Sequence, residues 1–128
     1  ISVEQAAASD KKGSIDLIVR DSEDFASNNI KGTKYDATSK LEEIMVPAIT
    51  LDKYCENNEI KPDIVKIDVE GAAKRVVRGG TSIIEDTRPT LMVEIHNDEE
   101  MSAFEKLLSD YEYKKEVIFS NRWLIHPM

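Results

Sequence analysis

Apolar residues fall into short runs along the chain, and the two strongest runs predict buried strands. Ile64–Val69 and Thr90–His96 are rich in β-branched residues and are strand-length. Ser14–Val19 predicts a further strand, and Ile1–Ala8, which alternates loosely, predicts another. Val46–Ile49 predicts a short extended segment, because the residue before a proline avoids the helical conformation.

Helices are predicted between and after these strands. Thr50 is a suitable N-cap for a first helix, and Ala72–Arg78 predicts a second that ends at the two glycines that follow. Asp98 is expected to cap a third helix, whose apolar residues recur every three or four positions. These apolar positions are Met101, Phe104, Leu107, Leu108 and Tyr111.

The C-terminal segment predicts a hairpin, in which Val117–Phe119 and Trp123–Ile125 pair across a polar turn. Strands that alternate with helices indicate an α/β fold with an open, mostly parallel sheet, here ending in an antiparallel hairpin. Arg20–Lys40 is a polar excursion with weak predicted structure. We therefore expect a single domain over 1–128. Two strands and the excursion occupy 1–45, and a βαβαβ core with the terminal hairpin occupies 46–128.

Composition narrows the classes of function. The 128 residues carry a formal net charge of −8, which disfavours binding to nucleic acid and to acidic membranes. No run approaches the roughly 18 apolar residues of a membrane helix. Cys55 is the single cysteine, so an internal disulfide is excluded. Its side chain is expected to be buried. A reducing, cytoplasmic location fits this composition.

Polar side chains stand at the ends of the two strongest predicted strands. Asp68 and Glu70 follow the first strand, and Glu94 and His96 lie about 7 Å apart on one face of the second. Ligands of open parallel sheets bind outside the carboxyl ends of the strands, so neighbouring strands would bring these four side chains together. Such a set suits a general base that removes a proton from a hydroxyl, or a divalent metal site.

Each of these residues also has a structural alternative. Asp68 interrupts an apolar strand, where an ionised group requires a partner or solvent. Glu70 can complement the N-terminus of the next helix, Glu94 can be a paired core carboxylate, and His96 can be an exposed helix-entry residue. The acidic run Asp98–Glu100 favours the start of a helix and needs no other role.

The motif around the first strand carries a resemblance to a known family. Thr50-Leu51-Asp52, followed after a gap by Asp63–Gly71 with the pattern D-x-x-K-I-D-V-E-G, resembles the signature of FkbM-family methyltransferases. Arg88-Pro89 followed by Val93–His96 is similar to the next element of that family. Ala8-Ser9-Asp10 with Gly13 resembles the segment before the signature, so the resemblance spans nearly the whole chain.

The resemblance implies a Rossmann-like methyltransferase that transfers a methyl group from S-adenosylmethionine to oxygen, commonly a hydroxyl of a sugar or small metabolite. It places Asp68 and Glu70 beside the methyl-transfer centre, together with Glu94 and His96. Asp68 or His96 would accept the hydroxyl proton, and Glu70 and Glu94 would orient the substrate or a metal. Asp68 would also bind the cofactor, whose adenine would lie near the turn Ala8, Ser9 and Asp10.

Two departures from the family pattern shape the remaining expectations. Ala73 stands where the family usually has an acidic residue, and the first two strands of the family's sheet have no counterpart before Ile1. The strand Ile64–Val69 would then have an open edge, and we expect self-association through that edge or a rearranged sheet. A metal-dependent enzyme using Asp68, Glu70, Glu94 and His96 is the first alternative function. A non-catalytic interaction module is the second.

Overall fold

The computed structural model describes residues 1–19, 29–30 and 42–128 of the chain. Nearly all of the predicted excursion Arg20–Lys40 lies outside the described residues. The strands are β1 (Ala7–Ala8), β2 (Gly13–Val19), β3 (Asn29–Ile30), β4 (Glu42–Ile49), β5 (Ile64–Ile67), β6 (Thr90–Glu94), β7 (Tyr113–Phe119) and β8 (Arg122–Pro127). The helices are α1 (Leu51–Asn57), α2 (Ala73–Arg78) and α3 (Asp98–Asp110), with a π-helical turn at Ile83–Thr87.

The first sheet has the strand order β1-β4-β2-β3. β2 and β4 are antiparallel and stay in register from Gly13 opposite Ala48 to Val19 opposite Glu42. β4 therefore begins four residues before the segment that its apolar pattern predicts, because pairing with β2 keeps its polar start extended. Of the expected strand Ile1–Ala8, only Ala7 and Ala8 pair, in parallel with the end of β4.

The second sheet has the order β5-β6-β8-β7. β5 and β6 are parallel neighbours, and β8 runs antiparallel to both β6 and β7. The α/β class and the C-terminal hairpin are confirmed. The expectation of one mostly parallel sheet is wrong, since only two of the six described pairings are parallel. The reason is that β5–α2–β6 is a parallel crossover, whereas β2 and β4 pair directly in a separate sheet.

The core lies between the second sheet and the helices α2 and α3. Phe104 and Leu107 of α3 are almost completely buried, as their spacing predicts, whereas Met101 is 40% exposed. Burying a large apolar side chain stabilises the fold by roughly 1.5–3 kcal/mol. This packing holds the carboxyl ends of β5 and β6 side by side, on a core that includes Leu91, Val93, Phe104, Leu107, Trp123 and Ile125.

The first sheet meets α2 at a close backbone contact. A Cβ atom on Gly79 would lie 2.0 Å from the carbonyl oxygen of Ser9, so this position has room only for glycine. The next contact is made by Asp52, whose N–H donates to the carbonyl of Gly79 at 2.8 Å. The Asp52 carboxylate accepts hydrogen bonds from the N–H groups of Ser82 and Ile83 at 3.0 and 2.9 Å. The Thr50-Leu51-Asp52 motif thus fixes the start of the π-helical turn.

The outer side of β5 is a sheet edge. Within the described part of the chain β5 pairs with β6 alone, and Ile64 at its start is 65% exposed. Among the described residues this edge of β5 is open, as expected. In those same residues, no helix is both long enough and apolar enough to cross a membrane.

Candidate functional site

The turn after β5 has an unusual backbone. Glu70 has φ 49° and Gly71 has φ 103°, so two consecutive residues occupy the left-handed region. Glycine adopts this conformation freely, whereas a glutamate there costs on the order of 1–2 kcal/mol. A strained polar residue held in place by its surroundings is typical of functional sites. The turn directs the Glu70 carboxylate towards His96, whose Nδ1 lies 3.5 Å from Oε2.

His96 lies between two carboxylates at the ends of β5 and β6. Its Nε2 is 3.0 Å from Oδ1 of Asp68, and its Nδ1 faces Glu70. The imidazole side chain is 13% exposed, compared with 34% for Asp68 and 17% for Glu70. Lys66 adds a weaker contact, with Nζ 3.7 Å from the other Asp68 oxygen. Three of the four residues predicted at this edge therefore form one cluster, which we call the carboxylate–histidine cluster (Asp68, Glu70 and His96).

Burial raises the pKa of Glu70 above its ordinary value of 4.5. The second influence is His96, which lowers this pKa, and the nearby carboxylates of Asp68, Glu100 and Glu94 raise it again. Glu70 consequently holds a proton at a higher pH than an exposed glutamate does. A carboxyl group with a raised pKa is better matched to proton transfer near neutral pH.

Glu100 is the residue of this site that sequence reasoning missed. Its side chain is fully buried, and one oxygen accepts hydrogen bonds from the backbone N–H groups of Gly71 and Ala73 at 2.8 and 3.2 Å. The other oxygen accepts from the N–H of His96 at 2.8 Å. The interpretation of the acidic run as a helix start with no other role is therefore wrong for Glu100. Its carboxylate joins the turns that carry Glu70 and His96.

A sequence signal for Glu100 exists in the start of α3. The N-cap is Asn97, one residue before the predicted cap, and its Oδ1 accepts a hydrogen bond from the N–H of Glu100 at 2.8 Å. An N-cap followed three residues later by glutamate is the capping-box pattern, in which the glutamate turns back towards the start of the helix. This pattern predicts a backward-facing Glu100 carboxylate, although not its bonds to the β5 turn.

Glu94 lies outside the carboxylate–histidine cluster. It faces Arg122 across the β6–β8 pair, with 3.0 Å between Oε2 and Nε and 3.5 Å between Oε1 and the guanidinium. Glu94 nevertheless shares the lining of a cleft of about 310 Å³ with Asp68. The Glu94 carboxylate is thus paired, which agrees with the structural alternative given for it from the sequence. It lies beside the cluster and is not part of it.

The residues predicted to bind the cofactor lie in two places. Ser9 and Asp10 line a cleft of about 500 Å³ beside α2. Neither Ala8 nor Asp68 belongs to the lining of this cleft. Ser9 is 2% exposed, and its hydroxyl donates to Asp10 Oδ1 at 3.2 Å. Ala8 packs against the core. Asp68 belongs to the carboxylate–histidine cluster, so the described residues do not bring all four predicted positions together.

Comparison with known proteins agrees with the site motif. The chain matches the methyltransferase FkbM domain over residues 1–115. It is similar to hexuronic acid methyltransferase AglP of Haloferax volcanii, with 33% identity over 78 residues that cover 60% of this chain and 32% of that protein. The aligned part thus spans about a third of the relative's length. No solved structure matches the chain significantly. Because the family match covers most of the chain, including the cluster, the chain belongs to the methyltransferase FkbM domain family.

Proposed function

We propose that the chain takes part in S-adenosylmethionine-dependent O-methylation of a hydroxyl group on a sugar or small metabolite, with Asp68 as the proton acceptor. The observation that carries the proposal is the placement of His96 between Asp68 and Glu70 at the ends of two parallel strands. Family membership supports methyl transfer. A sugar acceptor is supported by the relative from Haloferax volcanii, which is named for methylation of a hexuronic acid.

Exposure favours Asp68 over His96 as the base. Both ring nitrogens of His96 face carboxylates, and its side chain is 13% exposed, so it offers a substrate little free surface. The Asp68 carboxylate is 34% exposed and keeps one oxygen free of the imidazole. Asp68 therefore takes the proton of the substrate hydroxyl, while His96 orients the Asp68 carboxylate. Glu70 holds the other side of the imidazole.

The charge of the cluster fits the cofactor that the family implies. S-adenosylmethionine, when bound, supplies a methyl group activated by a positively charged sulfonium. The paired carboxylates of Asp68 and Glu70 suit a neighbouring positive charge, because they are partly shielded from solvent. Contact between the adenine and the turn Ala8, Ser9 and Asp10 stays a prediction, supported by the half-buried Asp10 carboxylate in the cleft lining.

A divalent metal in the same cluster is the second candidate. Asp68, Glu70 and His96 each offer one ligand atom, and these atoms lie within 4.8 Å of one another. Carboxylate and imidazole ligands suit Mn²⁺, Zn²⁺ or Fe²⁺. Titration calorimetry with Mn²⁺ and Zn²⁺, on the natural protein and on H96A, tests this candidate. Stoichiometric binding that is lost in H96A would support it, and unchanged methyl transfer after chelation would count against it.

Two further parts of the proposal concern location and assembly. A cytoplasmic location is supported by Cys55, whose thiol is free and 3% exposed. Self-association is supported by the open edge of β5, where another strand can add its hydrogen bonds.

Methyl transfer from labelled S-adenosylmethionine to a panel of sugars and small hydroxyl compounds tests the proposed function. We expect D68N to reduce kcat by about 10²- to 10⁴-fold, the usual contribution of a general base. Asp63, an exposed carboxylate just before β5, provides the matched control D63N. Full activity of D68N would overturn the role of Asp68. Absence of transfer to every acceptor by the natural full-length protein would overturn the proposed function.

A further inference from the structure

A cleft on the outer face of the second sheet opens onto Asp68. Its volume of about 310 Å³ lies at the lower end of the roughly 300–1,000 Å³ that ligand pockets occupy. Such pockets bind small molecules through an apolar surface and a few polar groups that fix the orientation of the ligand. The side chains that supply both in this outer-face cleft are Met92, Ile118, Lys66, Asp68, Glu94 and Arg122.

Strand register places Asp68 beside Glu94 in the outer-face cleft. β5 and β6 stay paired up to Ile67 opposite Val93, and both of these side chains are buried in the core. The next residues, Asp68 and Glu94, therefore point to the opposite face, at strand ends that lie about 5 Å apart. Each carboxylate can accept a hydrogen bond, so together they can bind two neighbouring hydroxyl groups of one ligand.

Arg122 adds hydrogen-bond donors beside the Glu94 carboxylate. Its Nε donates to Glu94 Oε2 at 3.0 Å, and its Nη2 donates to Oε1 at 3.5 Å. These contacts engage two of the five N–H groups of the guanidinium, which therefore keeps donors for a ligand. The Arg122 side chain is also 55% exposed, compared with 20% for Glu94. A hydroxyl group beside this pair can donate to Glu94 and accept from Arg122, so both of its hydrogen-bonding functions are satisfied.

The charges of the outer-face cleft are balanced. Arg122 is paired with Glu94, and Lys66 Nζ lies 3.7 Å from the second oxygen of Asp68. An anionic ligand would compete with one member of such a pair, whereas a hydroxyl group can bind to both members. Met92 and Ile118, which are 40% and 46% exposed, offer an apolar surface to the C–H groups of a sugar ring. The lining therefore fits a neutral polyhydroxyl compound better than an anion.

The outer-face cleft is separate from the cleft that the proposed function gives to the adenine of the cofactor. Among the described residues, the two cavities have no lining residue in common. Asp68 lines the outer-face cleft, and Gly71, three residues later in the same turn, lines the other. Two ligands can therefore reach the carboxylate–histidine cluster from different cavities, as methyl transfer between them requires.

We propose that the outer-face cleft binds the methyl acceptor, and that Glu94 and Arg122 recognise the hydroxyl group next to the one that Asp68 deprotonates. The acceptor is then a neutral sugar or polyol with hydroxyl groups on adjacent carbon atoms, a vicinal diol. The role of Asp68, and the assignment of the bound diol as an acceptor, rest on the proposed function. Glu94 and Arg122 are the residues that determine specificity, because a compound with an isolated hydroxyl group leaves them without a partner.

Three glucosides that differ by single hydroxyl groups test this proposal on the unmodified protein. Methyl α-D-glucopyranoside has hydroxyl groups on three adjacent ring carbons. Its 3-deoxy analogue has none on adjacent carbons, whereas its 6-deoxy analogue also lacks one hydroxyl group but keeps the adjacent set. Ligand-observed NMR measures the binding of each compound to the natural full-length protein. We expect the 3-deoxy analogue to bind at least about tenfold more weakly than the other two, the usual effect of losing a hydrogen bond to a charged group.

The variant E94A/R122A tests the two residues that are proposed to recognise the second hydroxyl group. We expect it to bind methyl glucoside and the 3-deoxy analogue with equal affinity. The matched control is K106A/D110A, which removes an ion pair on the surface of α3 with 2.7 Å between Lys106 Nζ and Asp110 Oδ2. This control should keep the preference for methyl glucoside, and an equal loss of preference in both variants would contradict the proposal.

Binding and methyl transfer separate the failure of this inference from the failure of the proposed function. Equal affinities of the natural protein for methyl glucoside and the 3-deoxy analogue, or a preference that survives in E94A/R122A, would overturn the inference. Either result would leave methyl transfer to other acceptors intact. A preference that depends on Glu94 and Arg122, without transfer from labelled S-adenosylmethionine to any acceptor, would overturn the proposed function and with it the assignment of the diol as an acceptor.

Discussion

Glu100 accepts a hydrogen bond from the backbone N–H of Gly71 at 2.8 Å, although 29 positions separate the two residues. The same carboxylate also accepts the N–H of His96 at 2.8 Å. When a carboxylate is buried, hydrogen bonds from several backbone N–H groups replace those it made to water. The carboxylate in turn holds these N–H groups in place. The geometry of the carboxylate–histidine cluster therefore depends on a side chain outside it.

Replacement of Glu100 by glutamine should destabilise the fold. The amide nitrogen would face backbone N–H donors, and the charge-assisted hydrogen bonds would be lost, so we expect a loss of about 2–4 kcal/mol in the free energy of unfolding. Urea unfolding measures this change. E99Q is the matched control, since the neighbouring Glu99 is only part of a solvent-accessible pair with Lys74. Equal stability of E100Q and E99Q would contradict the role given to Glu100.

The raised pKa of Glu70 predicts a pH-dependent stability difference. A carboxyl whose folded pKa exceeds its unfolded value binds its proton more tightly when folded, so stability falls as the pH rises from about 4.5 through the folded pKa. E70Q does not titrate at this position, and the wild type should therefore lose stability relative to E70Q as the pH rises above about 4.5. Unfolding at several pH values measures the difference.

The control for that experiment is E59Q. Glu59 is exposed and has φ 53°, close to the φ of Glu70, so the variant makes the same chemical change in the same backbone conformation. A pH-dependent difference of equal size in E59Q would show that the burial of Glu70 is not its cause.

Substitution of Gly79 tests the contact between the first sheet and α2. The added methyl group of G79A would meet the Ser9 carbonyl at 2.0 Å, and backbone must shift to admit it. We expect a loss of about 1–3 kcal/mol in unfolding free energy. G80A should cost less, because its nearest contact, at 2.9 Å, is the flexible end of Leu51. A larger loss in G80A than in G79A would be inconsistent with this contact.

The open edge of β5 predicts self-association that depends on protein concentration. A charge on an edge strand opposes pairing with another strand, so I64K should shift the chain towards monomer. I118K places the same charge on β7, the opposite edge of the same sheet, where Ile118 is 46% exposed, so a weaker effect of I118K would assign the association to β5. Light scattering after size exclusion measures the mass. A monomer at every concentration tested would count against pairing through β5.

The site was predictable where it depends on strand ends and unpredictable where it depends on long-range hydrogen bonds. Asp68 and His96 follow neighbouring parallel strands, so the strand-end rule predicts their meeting. Glu100 lies in α3 and Gly71 in the turn before α2, 29 positions away, so no hydrophobic periodicity predicts the hydrogen bond between them.

The fold divides in a similar way. The βαβ crossover of β5 and β6 follows from local pattern, and so does the terminal hairpin. The long pairing of β2 with β4 joins segments on either side of the polar excursion, and it keeps residues with little strand preference extended. Pairing with β2 therefore accounts for the polar start of β4, which the sequence pattern did not predict.

The shared carboxylate of Glu100 also links the motions of the two turns. The amides of Gly71, Ala73 and His96 lose their acceptor together when that one side chain leaves its place. Hydrogen exchange should consequently give these three amides the same opening free energy, as one cooperative unit drawn from two distant stretches of chain. Local opening at this edge would then dismantle the carboxylate–histidine cluster as a whole.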